Sequence, residues 1–416
     1  MKGRRTAAVL AALLGILLLA VFGLYIWKGT VRSFAPVETL SGGEGKERAD
    51  GAAVEGQDGG GAAGQNGAGG ADGQSAGEHP SQPSQTGSLA DPSFEENASS
   101  QESPITLLFA GDVLLSDHVQ NAYEKGGGIT GVVDQALLNE IEAGDLFMVN
   151  EEFPFSSRGE AAPDKQYTFR LPPEKVSMFH EMGIDLVTLA NNHALDFGTD
   201  ALVDTLDTLD EAGILHVGAG RNLEEAREPV VLEIKGKTLG FIGASRVIPE
   251  TSWNATSTKP GMLVTYDPAL TIEGIKELKE TCDYVVVYVH WGIERDERPQ
   301  EYQWVMGQQY IDAGADLVVG SHPHVLQGIE YYKGKPIVYS LGNFVFGSSI
   351  PRTALLKVEL SDGADMNASL SLIPATSGAG YTRPLTDEGD LTEFYQYITG
   401  ISYGVTVDGE GNVREE

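Results

Sequence analysis

Cysteine and basic residues are both scarce in this sequence. Its 416 residues include one cysteine, Cys282, which excludes an intrachain disulfide and therefore a small secreted fold held together by disulfides. Only 28 lysines and arginines stand against 60 aspartates and glutamates, which gives a formal net charge of −32. Because a protein that binds DNA or RNA needs a basic surface for the phosphates, this charge argues strongly against nucleic acid as a partner.

The few basic residues are unevenly distributed. The first 37 residues contain five of them and no acidic residue, whereas residues 38–416 contain 23 basic and 60 acidic residues. Residues 7–27 form an uncharged, apolar stretch of 21 residues, long enough to cross a membrane as a helix. Basic residues precede it, and Tyr25 and Trp27 lie at its far end, as is typical at a membrane interface. The pattern predicts a transmembrane signal anchor at 7–27 in the cell membrane, with a cytoplasmic tip at 1–6 and an extracellular remainder.

A cleaved signal peptide is the alternative interpretation of the same segment. Signal peptides have a shorter apolar region, about 7–15 residues, which is followed by a cleavage site with small side chains. Here the apolar stretch is longer and ends in Tyr25, Ile26 and Trp27. This ending favours an uncleaved, single-pass anchor.

A linker is predicted from residue 28 to residue 104. Between residues 41 and 80, 14 of 40 residues are glycine, and almost none is apolar. Such a segment cannot bury enough apolar surface to offset the entropy lost on ordering, so it is expected to be a disordered tether. This leaves residues 105–416 as the folded domain.

Apolar stretches alternate with helical patterns in the predicted domain. Strands followed by helices of this length are typical of an α/β fold whose strands are mostly parallel. Two later stretches, 354–360 and 368–373, alternate in the manner of antiparallel strands, and we expect them to form a second sheet. The predicted strands are 105–110, 146–149, 186–190, 284–289, 317–319 and 337–339; the predicted helices are 132–142, 173–182, 199–212, 268–280 and 300–313.

Polar side chains follow each of these six strands. Ligands bind at the carboxyl ends of the strands in α/β sheets, so we expect these side chains to meet on one surface. Four of the eight histidines are among them. The side chains are Asp112 after the first strand, Glu152 after the second, Asn192 and His193 after the third, His290 after the fourth, His322 and His324 after the fifth, and Asn343 after the sixth.

This set of side chains predicts a metal site. Mixed nitrogen and oxygen ligands favour Zn, Mn or Fe over the all-oxygen sites that Ca and Mg prefer. One or two divalent ions would activate water for hydrolysis. An imidazole that is not a ligand can protonate the leaving group, and His193 is the candidate, with Asp196 three residues later to orient its second nitrogen.

The motifs at these positions resemble the CapA family of bacterial capsule-synthesis proteins. The family is associated with poly-γ-glutamate and belongs to the calcineurin-like metallophosphatase superfamily. The resemblance covers residues 105–347, in the order and spacing of the family. Its motifs here are GDVLL (111–115), NEEFPFS (150–156), LANNHALDFG (189–198), GAG (218–220), VHWGIE (289–294), GADLVVGSHPHVLQGIE (314–330) and YSLGNFVF (339–346).

The resemblance implies a metallophosphatase-like sandwich of two mixed β-sheets flanked by helices, with a dinuclear centre at the strand ends. It implies that Asp112 and His324 bind one ion and that Glu152 bridges to the second. His193 would be the general acid. The remaining ligands of the second ion would be Asn192, His290 and His322.

One position departs from the superfamily pattern. A histidine usually stands two residues after the first aspartate, and this chain has Leu114 there. One ion thereby loses a ligand, which leaves open whether one or two ions bind and whether the site has phosphatase activity. Asp117 and His118 are the alternative ligands nearby.

Two functions remain open at this point. The first is a membrane-anchored, extracellular hydrolase that acts on a phosphoester or on an amide bond of an anionic envelope polymer. The second is a non-catalytic factor that binds or helps to export poly-γ-glutamate, with other capsule-synthase subunits as partners, and keeps the fold as a scaffold. Lys165 and Arg170 are candidates for contact with an anionic substrate, and Trp291 either packs beside the site or stacks on the substrate.

Overall fold

The computed structural model describes residues 103–347, 349–361 and 366–416. The predicted cytoplasmic tip and anchor, and the linker up to residue 102, lie outside the described residues. Within these described ranges, no helix combines the length and apolarity that crossing a membrane requires.

Strands and helices alternate through the first two thirds of the described chain, as the sequence predicts. The helices are α1 (Asp117–Gly126), α2 (Gln135–Glu142), α3 (Ser177–Met182), α4 (Gly198–Ala212), α5 (Leu223–Ala226), α6 (Ala269–Lys279), α7 (Glu301–Ala313) and α8 (Glu388–Ile401). The strands are β1 (Ile105–Val113), β2 (Leu146–Glu151), β3 (Leu186–Thr188), β4 (Leu215–Val217), β5 (Ala219–Gly220), β6 (Val230–Ile234), β7 (Lys237–Ser245), β8 (Gly261–Met262), β9 (Tyr284–His290), β10 (Leu317–Ser321), β11 (Leu326–Tyr332), β12 (Lys335–Leu341), β13 (Asn343–Val345), β14 (Ser349–Leu360), β15 (Ala368–Gly378), β16 (Tyr381–Pro384), β17 (Val405–Val407) and β18 (Asn412–Glu415).

These strands form two mixed sheets and one short pair. The first sheet has the order β17-β18-β15-β14-β1-β2-β3-β4, with β13 beside β1 and β16 beside β15. The second has the order β11-β12-β10-β9-β7-β6, and β5 pairs with β8. In both sheets a parallel centre carries antiparallel strands toward an edge.

The expectation that the two late stretches, 354–360 and 368–373, form a second sheet is wrong. They lie in β14 and β15, and β14 pairs antiparallel with β1 from Leu360 beside Ile105, so they extend the first sheet. The second sheet forms instead around β7, β9, β10 and β12. The sequence prediction missed β7 because Gly240 and Gly243 interrupt its apolar pattern.

The two sheets pack face to face and carry helices on their outer faces. Side chains alternate across each strand, so Phe109 of β1 and Tyr288 of β9 lie in the core between the sheets. Leu108 of β1 points the other way, into the core under the helices of the first sheet, and Val287 of β9 does the same in the second sheet. The predicted sandwich of two mixed sheets flanked by helices is therefore confirmed.

The end of β1 is held against β13 by a close backbone approach. Asp112 pairs with Asn343 in parallel register, and the amide of Asp112 donates to the carbonyl of Gly342 over 2.8 Å. A Cβ atom on Gly111 would lie 1.8 Å from that same carbonyl oxygen. Only glycine fits at this position, and the close backbone approach that it permits places Asp112 beside Asn343.

Candidate metal centre

Five side chains from four strand ends converge in the domain. Their ligand atoms fall into two groups, and within each group all atoms lie within 4.8 Å of one another. The carboxylate of Glu152 belongs to both groups. The groups are Glu152, His290 and His322, and Asp112, Glu152 and His324.

Asn192 lies beside the first of these groups. Its side-chain oxygen is 2.7 Å from Nε2 of His290, while Nδ1 of His290 is 3.0 Å from the hydroxyl of Ser321. The side chains of Asn192 and His290 are both buried. The structure thus brings together all six residues that the resemblance implies as ligands.

Three atoms of the candidate ligands are buried without a hydrogen bond. Within the described ranges, they are Oδ2 of Asp112, which lies 3.2 Å from Nδ1 of His324, together with Oε1 of Glu152 and Nδ1 of His322. Buried polar atoms are nearly always hydrogen-bonded, so each such exception calls for a specific partner. A divalent cation between the two groups would supply it.

The histidines are held in the form that binds metals. Burial, and then the charge of His324, lowers the pKa of His322 to about 4. Burial, and then the charge of His322, also lowers the pKa of His290 well below its ordinary value. Both imidazoles are therefore neutral at neutral pH, and a neutral imidazole is the metal ligand. The residues present fit a divalent ion.

The two carboxylates show opposite pKa shifts. Burial raises the pKa of Asp112, but the hydrogen bond and charge of His324, 3.2 Å away, outweigh burial and hold it well below its usual range. Burial, followed by the charge of Asp112, raises the pKa of Glu152 well above its usual range. Two negative carboxylates this close repel each other. A cation between them would favour the charged form of both.

A chain of amide side chains connects the two carboxylates to the acid candidate. Nδ2 of Asn150 donates to Oδ1 of Asp112 over 2.9 Å and to Oε2 of Glu152 over 2.6 Å. Oδ1 of Asn150 accepts from Asn191 over 3.0 Å, and Oδ1 of Asn191 accepts from the backbone amide of His193 over 2.9 Å. We did not predict roles for Asn150 and Asn191. Their position after strands, next to the predicted ligands, was the available signal.

His193 and Asp196 form a buried pair beside the centre. Nδ1 of His193 lies 2.7 Å from Oδ2 of Asp196, which also accepts from the amide of Phe169 over 2.7 Å. The ring of Phe169 lies over the imidazole, with 4.5 Å between the ring centroids. Burial lowers the pKa of His193 although Asp196 opposes the shift.

Lys165 contacts both members of this pair and does not face solvent. Its ammonium group is 2.9 Å from Nδ1 of His193 and donates to Oδ1 of Asp196 and to the carbonyl of Asn192. It also lies over the ring of Trp253, 5.2 Å from the centroid. Arg170, the other predicted anion contact, instead donates to two backbone carbonyls and lies outside the centre.

The residues near Leu114, where the superfamily pattern has a histidine, supply no candidate ligand. Leu114 is buried in the apolar core, and Asp117 and His118 are exposed on α1. Neither of these two belongs to a ligand group within the described ranges. Trp291 is buried, and its Nε1 donates to the carbonyl of Tyr339 over 2.8 Å, so it packs beside the centre.

Three residues at or beside the centre have left-handed backbone conformations. His322 and His324 have φ values of 101° and 58°, and Arg295, whose amide donates to the carbonyl of Pro323, has a φ of 64°. Left-handed conformations of this kind cost about 1–3 kcal/mol in residues other than glycine, and they cluster at functional sites.

Comparison with known proteins agrees with the motifs. The family model described as "Bacterial capsule synthesis protein PGA_cap" matches residues 106–348. "Capsule biosynthesis protein CapA" of Bacillus anthracis is 32% identical over 308 residues, which cover 71% of this chain and 73% of the relative. "PGA biosynthesis protein CapA" of Bacillus subtilis is 34% identical over 251 residues, which cover 60% of this chain and 65% of the relative.

A similar solved structure is that of a 5′-nucleotidase from Candida albicans. It has a TM-score of 0.40 and 13% sequence identity, over 71% of this chain and 54% of the nucleotidase. The family match and the relative from Bacillus anthracis establish the relationship by sequence. The chain belongs to the bacterial capsule synthesis protein family.

Proposed function

We propose that this protein is a metal-dependent hydrolase of capsule biosynthesis, acting on a phosphoester or an amide bond of an anionic envelope polymer. The observation that carries the proposal is the pair of ligand groups that share the carboxylate of Glu152. Two groups with a common carboxylate suit a pair of ions set close together. Such pairs are used to displace a leaving group from phosphorus or carbon.

Six side chains would hold the metal. Asp112 and His324 would bind one ion, and Glu152 would bridge to the second. A bound Zn, Mn or Fe ion would supply Lewis acidity and a water of lowered pKa. The second ion would be completed by Asn192, His290 and His322.

Residues of the chain itself would donate a proton to the leaving group. His193 would donate it from Nε2, because Nδ1 already faces Asp196 at 2.7 Å. Asp196 would hold the ring in orientation and stabilise its charged form. Lys165 would fix Asp196 in turn, and the ring of Phe169 would shield the imidazole from water.

The cell surface is the proposed location. Relatives carry names that refer to capsule biosynthesis and to PGA biosynthesis, and this chain has an apolar stretch at residues 7–27 that suits a membrane anchor. A tether from residue 28 to residue 104 would then hold the domain away from the membrane, near a growing polymer and other capsule-synthase subunits.

A non-catalytic role is the second candidate, and the buried Leu114 favours it. This apolar side chain stands where the superfamily pattern has a histidine, so one ion has one ligand fewer. An incomplete centre can still bind a cation and position a polymer without turning it over.

Metal analysis and turnover of the purified full chain distinguish these functions. Protein loaded with Mn, Zn or Fe would be dialysed, analysed for bound metal and assayed with a phosphodiester and with poly-γ-glutamate. His193→Ala is the test variant. His180→Ala, an exposed histidine on α3, is the matched control.

Turnover that falls at least about 100-fold in His193→Ala, with metal retained and with His180→Ala unaffected, supports the hydrolase. Metal and polymer binding without turnover of either substrate selects the non-catalytic role. Wild-type protein that retains no divalent metal overturns the metal centre and the role of His193 together.

A further inference from the structure

A loop covers the metal centre on the side of His193. Residues 157–170 follow β2 and precede α3, and each of them is exposed or half-buried. At the two ends of the loop, the amide of Ser156 donates to the carbonyl of Leu171 over 2.8 Å. The ends therefore lie side by side, as in an Ω-loop, a kind of loop that is frequently functional. We name residues 157–170 the cover loop.

The two ends of the cover loop are fixed. Arg170 donates to the carbonyls of Arg158 and Gly159 over 2.7 and 3.1 Å, which joins the ends to each other. Arg158 in turn pairs with Asp204 of α4, with 2.9 Å between Nε and Oδ2. These contacts hold the ends against α4 and leave the middle of the loop to be held by other residues.

The middle of the cover loop is attached to the domain through Asp196. The amides of Ala162 and Phe169 donate to the carbonyl and to Oδ2 of Asp196, each over 2.7 Å. The ammonium group of Lys165 donates to Oδ1 of the same residue. Apolar contact with the core comes from Ala162 and Phe169, which are both half-buried. A segment with so little apolar burial is among those that open most readily in a domain.

In this position the cover loop shields the acid candidate. The ring of Phe169 lies over the imidazole of His193 and meets the ring of Phe346 edge-on, with 6.3 Å between the two phenyl centroids. His193 is 6% exposed. A substrate can bring a leaving group to this imidazole only after the loop has moved.

We infer that the cover loop is a lid, which opens by releasing Asp196 to admit substrate and completes the acid when it closes. The inference rests on the proposed function, since His193 is the acid of that site. Opening breaks the three contacts to Asp196 and leaves the two ends of the loop in place. Closing returns Lys165 and the amide of Phe169 to the carboxylate that orients the imidazole, so the acid is oriented under the closed lid.

Amide hydrogen exchange of the full chain, resolved to single residues, tests for the lid. If the loop opens as a unit, the amides of Ala162 and Phe169 have equal protection, although they donate to different atoms. Lys165→Met removes a charged hydrogen bond from the closed loop, so we expect both amides to exchange about 10- to 100-fold faster, by the same factor. Lys333→Met is the matched control, because Lys333 pairs with Asp312 on the surface of α7.

Chemical modification measures access to the acid. Diethyl pyrocarbonate reacts with the free nitrogen of a neutral imidazole, and at about pH 8 the histidines are neutral. We expect Lys165→Met to raise the modification rate of His193 by the same factor as the amide exchange. The exposed His180, followed by peptide mapping in the same sample, should react at its wild-type rate.

Turnover separates orientation of the acid from access to it. A dialkyl phosphodiester needs a proton on its leaving group, whereas nitrophenolate leaves without one. If closure completes the acid, Lys165→Met lowers kcat about tenfold for the dialkyl substrate and by less than about twofold for bis(4-nitrophenyl) phosphate. Equal losses with both substrates would refute this role of closure.

The lid itself is overturned by either of two results: unequal protection of Ala162 and Phe169 in the wild type, or unchanged modification of His193 in Lys165→Met while both amides exchange faster. The first result requires no variant to fold. Unequal protection in a protein that turns over the phosphodiester refutes the lid alone. Equal protection and matched acceleration in a protein without metal or turnover refute the hydrolase and support the opening of the loop.

Discussion

Replacing Asn150 by leucine should weaken metal binding without changing any ligand. The amide of Asn150 donates to Asp112 over 2.9 Å and to Glu152 over 2.6 Å, so one side chain orients both carboxylates. Leucine has a similar shape and no donor. Loss of a partner that orients metal ligands usually lowers metal affinity about 10- to 100-fold, and we expect a loss in this range.

The metal-free protein should also lose stability in this variant. A hydrogen bond to a charged group contributes about 1.5–3 kcal/mol. His324 holds the pKa of Asp112 well below its usual range, so the bond to Asp112 reaches a full charge. We expect a loss of about 2–4 kcal/mol in the free energy of unfolding, on the scale of this bond together with the second one, to Glu152.

Competition with a chelator measures the metal affinity, and urea denaturation with and without EDTA measures the stability. Asn139→Leu is the matched control, because Asn139 is exposed on α2 and its side chain accepts a hydrogen bond from Gln135, away from the centre. Metal affinity within twofold of wild type in Asn150→Leu would refute the argument that this amide prepares the site.

Three further predictions concern single side chains. Lys165→Met should raise the pKa of His193 in the metal-free protein, because a nearby positive charge is removed; an unchanged or lower value in an NMR titration would contradict the contact. Gly320→Ala should lower the free energy of unfolding, measured by urea denaturation, by about 1–3 kcal/mol, since its Cβ would lie 2.1 Å from the carbonyl oxygen of Tyr339. The control Gly400→Ala, on an open helix face, should leave the stability unchanged or raise it. Glu151→Met should raise the melting temperature, because both oxygens of this buried carboxyl lack a hydrogen bond within the described ranges; a lower melting temperature would mean that the carboxyl has a partner.

Much of the candidate site could be predicted because it follows from strand order. Asp112, Glu152 and His290 each stand at the end of an apolar stretch, and the carboxyl ends of parallel strands meet at one edge of a sheet. The spacing of His322 and His324 within one motif adds two more candidate ligands. Such local signals require no knowledge of distant contacts.

The rest depends on contacts between distant segments. Lys165 lies in a loop without regular structure, and nothing in its neighbours shows that it reaches His193. From the sequence, Asn150 is one of several polar residues at the end of β2, and only the distance to Asp112 distinguishes it from the others. The assignment of β14 to the first sheet likewise depends on its pairing with β1, which an alternating pattern cannot specify.

The pairing of β14 with β1 also sets the order in which the domain can fold. β1 carries Asp112 and lies near the start of the described chain, yet one of its neighbours in the sheet is the strand that ends at Leu360. Pairing of segments so far apart in sequence closes a long loop and is slow to form. During synthesis β1 lacks this neighbour until β14 has been made, so Asp112, the first of the candidate metal ligands in the chain, reaches its final position only after residue 360 has been added.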